Sequence, residues 1–323
     1  MPYPPGEAGR PVTSTHLPYD TYYVQRPPRK FRDRVWVHVT LFVVTVLFTT
    51  AVGAGHYYAF LTEFERRWVP VTWDLLLHGF WYSGTLLAIL GSHEFGHYYF
   101  CRRYDVDASL PYFIPAPIPL TGTLGAVIRI REPFPDRTAL FDIGVGGPIA
   151  GFIVLIPALF IGMTMSTVVP EPTGQGVFYM GEPLLFKAAA ALQFGSIPDG
   201  MTINIHPMVF AAWFGMLATA LNLLPFGQLD GGHITYATLG RWSTPISMAT
   251  VGVAIVMTYN STSWLFMTLM MLVMLLLLGP GHPRVIYEHE PLAPGRRFVA
   301  FLALLIFIVC FTPVPLESVM GSQ

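Results

Sequence analysis

Charged residues are scarce in this sequence. They make up 11% of the 323 residues, while apolar residues make up 53%. Soluble domains carry roughly 25% charged residues, so this composition argues against a soluble globular protein. Cysteine is rarer still, because Cys101 and Cys310 are the only two. They exclude a disulfide framework, and they are expected to be small buried thiols.

The total charge and the terminal segments of the chain say little about function. The formal net charge of −1 says nothing about partners, and we expect no nucleic acid among them. No cleavable signal peptide is evident before the first apolar run. Residues 1–34 contain seven prolines and six Lys/Arg, which predicts a disordered cytoplasmic tail. A second short tail is expected at 314–323.

Long apolar runs dominate the rest of the sequence. They predict an all-α polytopic membrane protein with about seven transmembrane helices in a membrane domain over residues 35–313. The predicted segments are 35–60, 74–101, 139–168, 206–226, 245–259, 264–279 and 297–313.

The distribution of basic residues predicts the orientation. With the amino terminus in the cytoplasm and sides alternating across seven spans, fifteen of the eighteen Lys/Arg are cytoplasmic. Only Arg66, Arg67 and Lys187 fall on the outer side. This bias is what the positive-inside rule describes. We expect an integral membrane protein, of a bacterial plasma membrane or alternatively of an organelle membrane.

One apolar segment contains a metal-binding motif. His93-Glu94-Phe95-Gly96-His97 continues the run Leu75–Ser92 without a polar break. Side chains at i and i+4 share a helical face, so His93 and His97 can reach one metal ion. Glu94 is placed to deprotonate an attacking water molecule. Ionisable groups are costly in lipid and usually mark function.

A third ligand is expected at the end of the fourth apolar segment. Residues 222–233 read NLLPFGQLDGGH, where Asp230 would be a costly carboxylate unless a metal or a partner held it. In the predicted orientation this segment descends to the cytoplasmic side. His97 lies near that side too, about 7.5 Å along its helix from Arg102. Pro225 and the glycines around it permit the sharp turn that would direct Asp230 inward.

The combination of HEFGH with N-x-x-P-x-x-x-L-D-G resembles the site-2 protease family of intramembrane zinc metalloproteases, over residues 36–279. The resemblance implies one zinc ion per chain. Its implied ligands are His93, His97 and Asp230. It also implies that Glu94 is the general base and that Asn222 stabilises the oxyanion.

The resemblance further implies a three-helix catalytic core, made of the segments at 74–101, 139–168 and 206–226 and lying within about 74–233. The segments at 35–60, 245–279 and 297–313 are then accessory. Some members of the family insert a PDZ domain of about 90 residues, and no soluble stretch here is long enough for one. The chain therefore resembles a compact member of the family.

The segment Ser109–Arg137 is expected to dip into the membrane beside the metal. Its first half is apolar but interrupted by prolines, and Gly122–Arg131 alternates as a strand or hairpin would. An exposed strand edge could pair with an extended substrate. A packing loop with no substrate role is the equal alternative.

Four further features carry expectations. A fourth ligand would close the water position, so we expect His233 to lie near the ligands or at the surface. His282 belongs to no recognisable motif, so we expect it to be interfacial or solvated. Gly147 and Gly151 have the small-xxx-small spacing that lets helices approach closely. Asp142 could cap the first turn of the third segment.

Metal-assisted hydrolysis of a transmembrane substrate near the cytoplasmic side is therefore the favoured function. One alternative is a membrane zinc transporter or sensor, which needs polar residues continuing to the outer face; segment two offers only Asp74 and His78 there. The other is a zinc protease acting on prenylated carboxy termini, whose third ligand is a later glutamate. Its candidates are Glu288, Glu290 and Glu317.

Overall fold

The computed structural model describes residues 33–62, 70–171, 178–259, 261, 263–279, 281–288 and 292–318. This part of the chain is mostly helical, as the sequence predicts. Nearly all of the predicted tail at 1–34 lies outside the described residues, as do residues 319–323 of the other tail.

The described helices and strands follow one another in this order. The helices are α1 (Val35–Thr62), α2 (Trp73–His78), α3 (Phe80–Arg103), α4 (Arg137–Thr164), α5 (Leu184–Phe194), α6 (Pro207–Asn222), α7 (Asp230–Leu239), α8 (Ser243–Thr258), α9 (Ser263–Leu278) and α10 (Pro294–Cys310). The strands are β1 (Tyr112–Pro115), β2 (Thr123–Val127), β3 (Thr167–Pro170), β4 (Phe178–Met180), β5 (Met201–Asn204) and β6 (Leu316–Ser318).

Three helical stretches of the described chain are long and apolar enough to cross a membrane. They are Val35–Thr62, Trp73–Arg103 and Arg137–Thr164. The other four predicted segments coincide with α6, α8, α9 and α10, which have 16 or 17 residues each. A bilayer normally requires about 20. The count of seven spans therefore stays a prediction.

Helix α4 is central to the fold, because α3, α6, α7 and α10 all contact it. Its buried side chains Leu140, Phe141, Leu155 and Leu159 join one apolar core with residues of α6 such as Trp213. Against α3 the contact is between backbones: a Cβ added at Gly96 would lie 2.4 Å from the carbonyl oxygen of Gly146. Small residues at such crossings let helices approach closely.

The start of α4 differs from the expectation. Asp136 caps the helix, since its Oδ1 accepts a hydrogen bond of 2.8 Å from the amide of Ala139. The prediction that Asp142 is the cap is wrong, because the helix begins two residues earlier than expected. Asp142 instead binds Arg296 of α10 through two bonds of 2.7 and 2.8 Å. Tyr104, just after α3, also donates to Asp142.

The segment between α3 and α4 forms the β1–β2 antiparallel hairpin. Its strands come from both halves of the segment, so the proline-punctuated half also supplies a strand. The hairpin follows α1 for much of that helix. Near one end of α1, the backbone oxygen of Pro111 is 3.1 Å from His38 Nδ1. Near the other end, the backbone oxygen of Leu120 is 3.0 Å from His56 Nε2.

Several short elements have no counterpart in the sequence analysis. Helix α5 lies in the loop between α4 and α6, where β3 pairs with β5. Strand β6, in the predicted tail at 314–323, pairs with β4. Helix α7 begins at Asp230 and continues the fourth predicted segment after a turn.

The backbone contact between α3 and α4 yields a stability prediction. Gly96→Ala should destabilise the fold by about 1–3 kcal/mol, because overpacked sites with no flexible neighbour are strained. The measurement is the denaturant midpoint of the purified protein in detergent. Gly84→Ala in the same helix is the matched control, because an added Cβ there meets no atom within 4 Å. Equal midpoints for the two variants would contradict the close contact.

Candidate active site

The two histidines of the motif face α4 from successive turns of α3. His93 and His97 are both buried, and their Nε2 atoms lie 3.0 Å apart. Asp230 completes the cluster: its Oδ2 is 3.2 Å from His93 Nε2, and its Oδ1 is 3.3 Å from His97 Nε2. Ligand atoms of the three residues all lie within 4.8 Å of one another. The structure thus brings together the three side chains that the sequence proposes as ligands.

A tight turn between α6 and α7 positions Asp230. Gly227 has a φ of +51°, in the left-handed region that favours glycine. A Cβ at Gly231 would lie 2.1 Å from the carbonyl oxygen of Leu223. The first turn of α7 therefore folds back onto the end of α6, and the carboxylate at its N-terminus points toward α3.

Asn222, the last residue of α6, also reaches this cluster. Its Nδ2 is 3.3 Å from His93 Nε2. That nitrogen is the one that also faces Asp230 and His97. The amide of Asn222 therefore lies beside the position that a bound cation would take.

Three glycines of α4 line up with three histidines along the interior. A Cβ added at Gly151 would lie 3.2 Å from His93 Cβ, and one at Gly147 would lie 2.1 Å from His97 Nε2. The third glycine, Gly144, faces His233 of α7 in the same way, at 2.8 Å from its Cβ. We call Gly144, Gly147 and Gly151 the glycine track. The small-residue spacing noted in the sequence serves to seat imidazole rings against α4.

Glu94 faces the hairpin rather than α4. Its side chain is buried, and the backbone of Ile128, just after β2, lies near its carboxylate. Phe113 of β1 packs beside Gly91 on the same helix. The hairpin therefore lies directly against the motif, on the side of α3 where Glu94 projects.

The donor set fits a divalent metal ion. The Nδ1 atom of His97 lies 2.7 Å from the backbone oxygen of Ile143 and donates to it, which leaves Nε2 with its lone pair for a metal. Two imidazole nitrogens and a carboxylate suit zinc. Asp230 and Glu94 would also be a costly buried pair of like charges without a cation.

The remaining histidines of interest lie outside this cluster. His206 caps α6, where its Nδ1 accepts from the amide of Met208 at 3.3 Å. His233 lies near the ligands, as expected, on the next turn of α7 after Asp230. His282, expected to be interfacial or solvated, is half-buried, and its Nε2 is 2.6 Å from His233 Nδ1. No local pattern marks His282, because it meets His233 across 49 residues of sequence.

The sequence of this region matches a family model. Residues 81–263, which contain the motif, the glycine track and Asp230, match the model of peptidase family M50. The chain belongs to this family. It is the family of the site-2 proteases, so the resemblance drawn from the two motifs is confirmed.

Relatives of this M50 chain are named as zinc metalloproteases. A probable zinc metalloprotease EGY2, chloroplastic, of Oryza sativa subsp. indica is 30% identical over 257 residues, which are 76% of this chain and 45% of that protein. A probable zinc metalloprotease EGY1, chloroplastic, of Arabidopsis thaliana is 34% identical over 164 residues, 48% of this chain and 29% of that protein. The chain thus spans less than half the length of these relatives. No solved structure matches it.

The contact between Gly147 and His97 predicts a loss of metal binding. In Gly147→Ala the new methyl group would push the imidazole of His97 out of place. Changes in the groups that position metal ligands typically cost about 10–100-fold in metal affinity, so a loss of at least that size is expected. Equilibrium dialysis with metal analysis measures the change. The matched control is Gly55→Ala, where an added Cβ meets nothing within 4 Å. Unchanged affinity in Gly147→Ala would contradict the observed packing.

Proposed function

We propose that this chain is an intramembrane zinc metalloprotease that hydrolyses peptide bonds of transmembrane substrates. The observation that carries the proposal is the cluster of the buried His93 and His97 with the partly buried Asp230, with Glu94 one residue from the first ligand. Membership of peptidase family M50 and the names of the relatives support both the reaction and the metal.

In this proposal His93, His97 and Asp230 hold one zinc ion and leave a coordination position free. When bound, the zinc polarises the scissile carbonyl and lowers the pKa of its water toward about 7. Glu94 accepts a proton from the attacking water and passes it to the leaving amine. Asn222 donates from Nδ2 to the oxyanion of the tetrahedral intermediate. Its distance of 3.3 Å from His93 Nε2 supports a place beside the reacting carbonyl.

The hairpin is the proposed substrate platform, within Gly122–Arg131. Arg129 O accepts from the amide of Ser109, and the amide of Arg131 donates to Asp107 O. Backbone groups alternate in direction along a strand, so those of Ile130, between the two, point away from the hairpin. An extended substrate could pair there by strand addition. The position of Ile128 near Glu94 supports a substrate strand that lies beside the proposed base.

We propose that the hairpin is re-entrant. Its contacts at His38 and His56 are 18 residues apart on α1, about 27 Å along the helix. A hydrocarbon core is about 30 Å thick. The seven spans and the cytoplasmic amino terminus belong to the same proposal and rest on the charge bias. For the compartment, the chloroplastic relatives favour an organelle membrane over a bacterial plasma membrane.

The two alternatives find less support in the described residues. A transporter needs ligands toward the outer face. His78, fifteen residues before His93, lies 2.8 Å from the backbone oxygen and 3.6 Å from the carboxylate of Asp74, but the described residues place no third potential metal ligand with this pair. A protease for prenylated termini needs a later glutamate at the metal. Glu288 instead lies 3.6 Å from Arg137 and 3.3 Å from Tyr236. Glu290 lies outside the described residues.

The general-base role predicts a specific variant phenotype. Glu94→Gln should keep its zinc and fold but lose cleavage by about 100-fold or more, because the amide cannot accept the proton. Asp230→Ala, in contrast, should lower the bound zinc. The assay combines metal analysis with cleavage of a single-span substrate in liposomes. Cleavage by Glu94→Gln at the wild-type rate would rule out this role for Glu94.

Strand addition predicts an effect of removing one amide at the hairpin edge. Ile130→Pro lacks the outward N–H but loses no bond of the hairpin. One main-chain hydrogen bond contributes about 0.5–1.5 kcal/mol, so kcat/KM should fall about two- to tenfold. Ile130→Ala keeps the N–H and serves as the control, and zinc content should be unchanged in both. A packing loop without a substrate role would leave the two variants equally active.

A further inference from the structure

His233 and His282 form a second imidazole pair beside the candidate metal site. Their facing nitrogens are 2.6 Å apart, closer than those of His93 and His97. The ring of His282 also stacks on Tyr236, with centroids 4.6 Å apart. The proposed hydrolysis uses neither histidine. We call His233 and His282 the outer pair.

The outer pair continues the row of histidines along the glycine track. Gly151, Gly147 and Gly144 face His93, His97 and His233 in turn. Beyond His233 the row ends at His282, in the loop between α9 and α10. That loop joins the start of α4, where the amide of Tyr287 donates to Pro135 O at 2.8 Å. The row therefore runs from the candidate metal site to the end of the bundle where α4 begins, the predicted cytoplasmic side.

The state of the two rings suits metal binding. His282 Nδ1 donates to the backbone oxygen of Pro283, at 2.5 Å, which leaves Nε2 with a lone pair directed at His233. His233 Nδ1 donates to that lone pair, so a metal ion that binds between the rings replaces this hydrogen, which moves to His233 Nε2 or to water. Neutral imidazole is the form that ligates metals.

We propose that the outer pair is a transient entry site, which takes a divalent zinc ion from the aqueous side and passes it to His93, His97 and Asp230. The proposal rests on the zinc site of the proposed function. Asp230 links the two places, because it lies one helical turn before His233, and residues at i and i+3 share a helical face. Transfer exchanges one ligand at a time: His282 is released as Asp230 binds, and His233 as His97 and His93 bind.

The outer pair has too few ligands to favour permanent zinc binding. Among the described residues, His93, His97 and Asp230 are the one group of three or more His, Cys, Asp or Glu that could hold a metal ion. Structural zinc sites take four protein ligands and catalytic sites three. Two imidazoles alone bind more weakly than the inner cluster, so the ion moves inward.

The test measures zinc uptake and release rather than activity. Wild-type protein is stripped with a chelator, then mixed with Zn²⁺, and bound zinc is followed by rapid desalting and elemental analysis. Release is followed separately into excess chelator. A transit site lowers the barrier in both directions. In His282→Asn both rates should therefore fall about tenfold, a barrier about 1.4 kcal/mol higher, with Kd and the single equivalent of zinc unchanged.

Two variants separate ligation from shape. His282→Cys supplies another zinc ligand without the ring, and should restore uptake to near the wild-type rate if ligation is what matters. His78→Asn, at the far end of the bundle, should change neither rate.

Four results would overturn the proposal. They are unchanged rates in His282→Asn, a weakened Kd with normal uptake, failure of the cysteine to restore uptake, and two firmly bound zinc ions in the wild type. Each of these leaves the proposed protease function standing. A wild-type protein that binds no zinc would instead remove the proposed function and this inference together.

Discussion

The close approach of α4 to the two motif histidines is the contact on which the site depends. Buried imidazoles need room, and at Gly147 and Gly151 helix α4 provides it by having no side chain. The same face meets α3 backbone to backbone at Gly96 and Gly146. Any larger residue there would push α3 away, and α7 with its carboxylate would no longer meet the histidines.

The proposed hydrolysis uses water inside an apolar protein. It therefore matters which neighbouring element each site residue faces. His93 and His97 face α4 and α7, whereas Glu94 faces the hairpin. Two functions are thereby separated on one helix. The ligand side is closed by packing, and the base side is covered by the hairpin. In the proposed function an extended substrate pairs with the hairpin, which leaves the metal site folded.

Much of the site could be predicted from sequence because its determinants are local. HEFGH fixes the spacing of three side chains on one helix, and the charge bias predicts the same depth for Asp230 and His97. The spacing of Gly147 and Gly151 is also a local pattern, and it indicates close helix packing. Helix α7 was missed, since Pro225 and the glycines after it read as a terminating turn.

Contacts between distant segments could not be predicted. Asp142 has the position of a capping residue, but its partner Arg296 lies 154 residues away. His233 and His282 meet only because the loop after α9 returns to the start of α4. The proline-punctuated strand β1 likewise depends on its pairing with β2 rather than on its own propensity. In each case tertiary packing overrides the local signal.

The most direct test of the account is X-ray absorption at the zinc edge of the purified, zinc-loaded protein. The proposed ligands predict nitrogen and oxygen scatterers at about 2.0–2.1 Å with the pattern of two imidazoles, and no sulfur near 2.3 Å. The spectrum of Asp230→Ala should lose one oxygen scatterer or lose the metal. A sulfur ligand, or a wild-type spectrum with a single imidazole or none, would contradict the assignment of His93, His97 and Asp230.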